Sequence, residues 1–215
     1  MKNENARRLL TILELTAAVI AVAIDLFIPA LVILVVAGLS LLIRHEKFAS
    51  LGFHKFTAKL PLTMLAWAVV WTLLDVGLFM PILNHLTGTV QDVSAFMSLK
   101  GNVGQLVFML VMSWTLAAFC EETAFRGLVG TRVCSLFPNA RAGRVVAVIL
   151  TAVLFGFIHA EQGIIGVVIS LLDGAFYGYL RYKYDNLWAA VFAHGFINSI
   201  GMIAFFFVGP ITGLW

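Results

Sequence analysis

The run VGQLVFMLVMSWTLAAFC, residues 103–120, is uncharged from end to end. A helix that crosses the ~30 Å hydrocarbon layer of a bilayer needs about 20 mostly apolar residues. Similar runs recur along the whole chain, in which 61% of the 215 residues are hydrophobic and 12% are charged. Soluble domains are about a quarter charged. The composition therefore predicts an integral membrane protein, and the runs lack the alternation of barrel strands.

The sequence predicts an all-α fold, a polytopic membrane helix bundle of about seven transmembrane helices in a single membrane domain, residues 1–215. The first two spans form an N-terminal helical hairpin, residues 9–43, with Asp25 and Pro29 at its turn. Residues 60–208 hold the core helices. The predicted spans are 9–24, 27–43, 60–83, 103–126, 145–160, 164–180 and 187–208.

The basic residues predict the orientation. With a cytoplasmic N-terminus, every Lys and Arg from Lys2 to Lys183 falls on the cytoplasmic side except Lys100. This positive-inside bias predicts a multi-pass protein with its N-terminus cytoplasmic and its C-terminus outside. Because the basic residues are distributed among the spans, they do not indicate a nucleic-acid partner.

A small set of polar side chains falls inside these apolar helices. A charge at the bilayer centre costs at least ~2.5 kcal/mol, so each of these groups requires a partner or a function. Glu122 and Arg126 are four residues apart, which predicts a structural ion pair on one helix face. Glu121 points ~100° away and has no local partner. The set comprises Glu121, Glu122, Arg126, His159, Asp173, His194 and Asn198, with Asp75 in the third span.

These groups are sufficient for hydrolysis. A carboxylate and an imidazole can orient and deprotonate a water molecule, and a second imidazole with an amide can stabilise an oxyanion. Zinc bound by Glu121, His159 and His194, with a position left for water, is the alternative. The H-E-x-x-H zinc helix is absent, so the spacing leaves the cofactor open.

Three short motifs hold most of these polar residues. They are E-E-x-x-x-R at Glu121, Glu122 and Arg126, F-x-x-x-H at Phe155 and His159, and H-x-x-x-N at His194 and Asn198. In this order they resemble the motifs of the CPBP intramembrane proteases, also called the CAAX protease and bacteriocin-processing or Abi family. LGFHK at residues 51–55 is similar to a short basic element that often precedes the family core.

The resemblance implies an intramembrane endopeptidase, of the glutamate or the metalloprotease type, that cleaves membrane-associated peptides such as prenylated CAAX-like tails. It implies that Glu121 and His159 act on the attacking water and that His194 and Asn198 form the oxyanion site. Metal-free activation of the water is slightly favoured over zinc. The implied supporting residues are Glu122, Arg126, Phe155 and Asp173.

Two other functions remain open from the sequence. A non-catalytic immunity or regulatory partner could use the same polar core. Such a protein could lose Glu121 or His159 and so avoid the cost of inserting them, so the intact motifs favour the enzyme. A transporter would explain Asp75 and Asp173, but the chain has no internal repeat.

Two expectations concern the structure. Asp173 should be protonated or hydrogen-bonded inside the bundle, near a histidine or Arg126. For Glu121 to lie at the depth of His159, either the fourth helix continues past Arg126 or the fifth span is short or tilted.

Overall fold

The computed structural model describes residues 4–215, so Lys2 lies outside the described residues. Within them the chain folds into seven long helices and contains no strand, which confirms the all-α helix bundle. A short 3₁₀ turn, Ala160–Gln162, precedes the sixth helix. The helices are α1 Glu4–Ala23, α2 Pro29–Arg44, α3 Lys59–Thr87, α4 Val103–Ser135, α5 Ala140–Phe157, α6 Gly163–Lys183 and α7 Leu187–Val208.

By length and composition, the helices from α3 to α7 can each cross a membrane. The two helices of the N-terminal hairpin do not meet the same criteria. Helix α2 is apolar but only 16 residues long. Helix α1 has 20 residues but carries charges at Glu4, Arg7, Arg8 and Glu14. Five of the seven predicted spans thus correspond to helices that are long and apolar enough to cross a membrane.

A buried ion-pair network fastens the hairpin to the rest of the bundle. Glu14 on α1 accepts hydrogen bonds from Nε and Nη2 of Arg44 on α2, at 3.1 and 2.9 Å. Nε of Arg132, near the end of α4, lies 3.0 Å from the same carboxylate. All three side chains are at most 5% exposed. The sequence analysis used Arg44 and Arg132 only as basic residues that indicate the orientation. The structure shows that they also hold three helices together.

Helix α4 is longer than predicted and is unusually wound. It continues to Ser135, past the predicted end at Arg126, so Glu121 lies well inside the helix. Its central parts, Ser113–Glu121 and Thr123–Val129, are π-helical. The hydroxyl of Thr123 donates to the carbonyl of Phe119, the group that an α-helical N–H would use. π-Helical turns are rare and often occur at functional sites.

Small residues bring α5 and α6 close together. A Cβ added to Gly156 of α5 would lie 2.8 Å from the carbonyl oxygen of Val167, and one added to Gly178 of α6 would lie 3.1 Å from Val148. Such spacing of small residues permits close packing of membrane helices. On α6 small residues recur at every fourth position, at Gly166, Ser170, Gly174 and Gly178.

The segment between α2 and α3 closes one end of the bundle. Gly52 accepts a hydrogen bond from the backbone N–H of Leu187 at 2.8 Å. The side chain of Asn186 donates to the carbonyl of His54 at 3.1 Å. Phe53 is 8% exposed and packs edge-on against Trp188. This segment is therefore part of the packed structure at the start of α7.

Candidate active site

One cavity of about 590 Å³ lies among helices α3 to α7. It is lined by all four residues predicted to be catalytic, which come from three different parts of the chain. Glu121 is on α4, His159 follows α5, and His194 and Asn198 are one turn apart on α7. The cavity extends from these groups towards the end of the bundle formed by residues 88–102, where Phe96 and Leu99 line it.

His159 is oriented by the end of its own helix. Helix α5 ends at Phe157, and Nδ1 of His159 lies 2.8 Å from the carbonyl oxygen of Phe155. A carbonyl can only accept a hydrogen bond, so Nδ1 carries the hydrogen. In the neutral ring, Nε2 is then the nitrogen with a free lone pair. The F-x-x-x-H motif thus fixes both the position and the tautomer of this histidine.

Glu122 connects two of the motifs. Its Oε1 accepts a hydrogen bond from Nη1 of Arg126 at 3.0 Å, which confirms the predicted ion pair. The same oxygen lies 3.0 Å from Nδ1 of His194. Glu122 is fully buried, and Arg126 is 1% exposed. The contact between Glu122 and His194 was not predicted, because it joins two helices far apart in sequence.

Aromatic rings hold His194 and Arg126 in place. The ring of Tyr177 stacks on His194 with centroids 4.7 Å apart and planes 11° apart. Phe155 meets His194 edge-on, and the guanidinium of Arg126 lies 4.5 Å from the Phe155 centroid. Phe155 therefore contacts both groups. The sequence reasoning missed Tyr177, which carries no motif.

Gly174 makes room for Arg126, and the sequence reasoning also missed it. A Cβ at Gly174 would lie 2.7 Å from Nη2 of Arg126 and 3.0 Å from the Cα of Ala152. The four-residue spacing of small residues on α6 could have identified this position. Gly174 follows Asp173 directly in the sequence. The site thus requires a glycine beside its predicted supporting carboxylate.

Asp173 lines the same cavity, as predicted, and is hydrogen-bonded within the bundle. Nε1 of Trp71 on α3 donates to its Oδ1 at 2.6 Å. Asp173 was expected near a histidine or Arg126, and His159 and His194 line the same cavity. The sequence did not indicate Trp71 as its hydrogen-bond donor. Asp75 lines the cavity too, and its carboxyl group contacts that of Asp173.

The described residues do not form a zinc site. Among residues 4–215, no group of three or more His, Cys, Asp or Glu side chains is arranged to hold a metal ion. Glu121, His159 and His194, the candidate zinc ligands, line one cavity but do not form such a group.

Comparison with known proteins finds one family whose model matches this region. Residues 103–200 match the family described as Type II CAAX prenyl endopeptidase Rce1-like. The match begins at the start of α4 and extends into α7, so it includes every predicted site residue. No curated protein and no solved structure matches the chain. The resemblance carried by the three motifs is thereby confirmed, and over residues 103–200 the chain matches the Rce1-like type II CAAX prenyl endopeptidases.

Proposed function

We propose that this protein is an intramembrane endopeptidase that hydrolyses peptide bonds of membrane-associated substrates with a water activated by Glu121 and His159. The observation that carries the proposal is the single cavity lined by Glu121, His159, His194 and Asn198. A hydrolase needs a base, a positioned water and donors for the oxyanion within one enclosed site. Glu121 can act as the base, His159 can position the water, and His194 and Asn198 can donate to the oxyanion.

Glu121 is proposed as the general base. Its Oε2 has no hydrogen-bond partner among residues 4–215, and Glu121 lines the cavity. The Oε1 of Glu122, by contrast, already binds Arg126 and His194, and Glu122 does not line the cavity. Glu121 takes one proton from the water as the water oxygen bonds to the scissile carbonyl carbon. Nε2 of His159, with its free lone pair, accepts a hydrogen bond from the second hydrogen of that water and orients it.

His194 and Asn198 are proposed to stabilise the oxyanion. His194 acts as an imidazolium: Nδ1–H donates to Glu122, and Nε2–H donates to the negatively charged oxygen. The side-chain amide of Asn198, one turn further along α7, provides a second donor. The tetrahedral intermediate then collapses. Its C–N bond breaks, and the proton held by Glu121 passes to the leaving amine, which restores the carboxylate.

Prenylated CAAX-like tails are the substrate class that the family's description suggests. A lipidated tail suits a site embedded among helices that can cross a membrane. The cavity extends to Met109, Leu99 and Phe205. These apolar side chains can pack against an extended apolar group. We propose that the scissile bond lies at the Glu121 end and that an apolar group fills the other end.

The experiment is cleavage of farnesylated and unmodified CAAX peptides by the purified protein, with products identified by mass spectrometry. We expect cleavage by the wild type and loss of cleavage in His159→Ala. Activity that a chelator removes and zinc restores would replace metal-free activation with metal chemistry. A wild type that cleaves neither peptide, in any lipid, would favour the non-catalytic membrane partner.

A further inference from the structure

Arg181, near the end of α6, is a buried cation without an acceptor. Its side chain is 9% exposed. Neither Nε nor Nη1 has a hydrogen-bond partner among residues 4–215. The nearest carboxylate oxygen, Oδ1 of Asp185, is 3.7 Å from Nη1, and the Asp185 side chain is 80% exposed. A buried charge without hydrogen bonds is costly, so this guanidinium is set up for a partner that residues 4–215 do not provide.

Arg181 lines a second cavity, of about 470 Å³, at the end of the bundle opposite residues 88–102. Arg144 on α5 lines it as well, and the two guanidinium carbons lie 5.4 and 5.8 Å from the ring centroid of Tyr182. His54 also lines this cavity. Two arginines and a histidine therefore surround one space, and Asp185 is the only acidic residue among the described residues that line it.

Hydrogen bonds and close packing hold the residues that line this cavity in place. Gly52 has φ +101°, and a Cβ there would overlap the guanidinium of Arg181. Its carbonyl is held by the N–H of Leu187, and the neighbouring His54 is held through Asn186. The Arg181 guanidinium thus packs against a hydrogen-bonded backbone, and no residue larger than glycine fits at position 52 without displacing it.

The helix N-terminus beside the cavity does not supply the binding groups. The side chain of Asn139 already accepts hydrogen bonds from the backbone N–H groups of Arg141 and Ala142 at the start of α5. The side chains of Arg144 and Arg181 therefore remain as the donors. A planar guanidinium matches phosphate oxygens with two parallel hydrogen bonds, better than a lysine ammonium does.

We infer that the cavity between Arg144 and Arg181 binds a phosphate group, either of an anionic lipid headgroup or of a small phosphate. The cavity lies at the end of the bundle where α4 and α6 end and α5 and α7 begin. It is separate from the cavity of Glu121 and shares no lining residue with it. The inference therefore stands independently of the proposed peptidase.

The test measures binding to the full-length protein in a neutral detergent at constant ionic strength. One arm uses inorganic phosphate, and the other uses dihexanoyl phosphatidic acid. The variants are Arg144→Gln and Arg181→Gln. Arg141→Gln is the matched control, because Arg141 is an exposed arginine on the same helix outside the cavity. Arg144 is itself exposed, so Arg144→Gln tests the site even if Arg181→Gln fails to fold.

We expect saturable binding that weakens at least about tenfold in Arg144→Gln, since this variant loses a hydrogen bond between charged groups. Arg141→Gln should bind within about twofold of the wild type. Binding in both arms supports a site for the phosphate group itself, and binding of the lipid alone supports a headgroup site. No saturable binding in either arm, or equal affinity in Arg144→Gln and Arg141→Gln, would overturn the inference.

Discussion

Nδ1 of His194 lies 3.0 Å from Oε1 of Glu122, and that oxygen also receives a hydrogen bond from Arg126. This contact divides the roles of two adjacent glutamates. Glu122 is fully buried, and its Oε1 holds a histidine and an arginine, whereas Glu121 lines the cavity. The structure therefore provides one carboxylate for support and leaves the other available for chemistry.

Glu121→Gln should abolish peptide cleavage while leaving the fold intact. The amide keeps the shape of the side chain but cannot take a proton from water, and general base catalysis contributes about 10²- to 10⁴-fold in rate. The measurement is the cleavage rate by mass spectrometry, together with the thermal unfolding midpoint in detergent. Nearly full activity in this variant would exclude Glu121 as the base.

Arg126→Ala should destabilise the protein by about 3 to 5 kcal/mol, because it breaks a buried ion pair and leaves the carboxylate of Glu122 with His194 as its one remaining partner among residues 4–215. Thermal unfolding in detergent measures this loss. Arg141→Ala is the control, since Arg141 is exposed, and its effect should stay within about 0.5 kcal/mol. An Arg126→Ala variant with normal stability and no turnover would instead assign Arg126 to the catalytic groups.

Asp173→Asn should lower turnover moderately, and Asp173→Leu should lower it more. Asparagine can still accept the hydrogen bond from Trp71, whereas leucine leaves that indole N–H without an acceptor. The pH dependence of the cleavage rate distinguishes a positioning role from loss of folded protein. An unchanged profile in both variants would show that Asp173 is not required.

Gly174→Ala should destabilise the protein by about 1 to 3 kcal/mol, because the added methyl group is forced against Arg126 and the backbone of Ala152. Gly38→Ala is the matched control. Gly38 lies within α2, and no atom would come within 4 Å of its Cβ. That variant should be neutral or stabilised by up to about 1 kcal/mol. Equal unfolding midpoints in the two variants would contradict the close packing around Arg126.

The contribution of Glu46 to stability should be lost in acid. Burial acts to raise the pKa of Glu46, but the hydrogen bond and charge of Arg132, with help from Arg44 and Ser50, lower it below its ordinary value. A lowered carboxyl pKa stabilises the fold above the unfolded value of about 4.3, and this stability is lost as pH falls through the folded pKa. Thermal unfolding measured from neutral pH downwards should therefore show a gap between wild type and Glu46→Gln that closes in acid. A gap that widens in acid would contradict this sign.

The sequence by itself determined the features that depend on local composition and spacing. Backbone groups in a bilayer must be hydrogen-bonded in helices or in closed barrels, and long uncharged runs without alternation fit helices. The pair Glu122 and Arg126 was predictable because side chains four residues apart share a helix face. The order of the three motifs was enough to identify the family that residues 103–200 match.

Only the tertiary structure decided which groups meet across helices. Hydropathy does not specify how far each helix is rotated about its axis, so it could not show that His194 binds Glu122 or that Trp71 binds Asp173. The sequence analysis did not single out Glu14, and only the fold places two arginines beside it. Nor could the sequence show that Glu121, His159 and His194 share a cavity without forming a metal-binding group, since that depends on distances between side chains of separate segments.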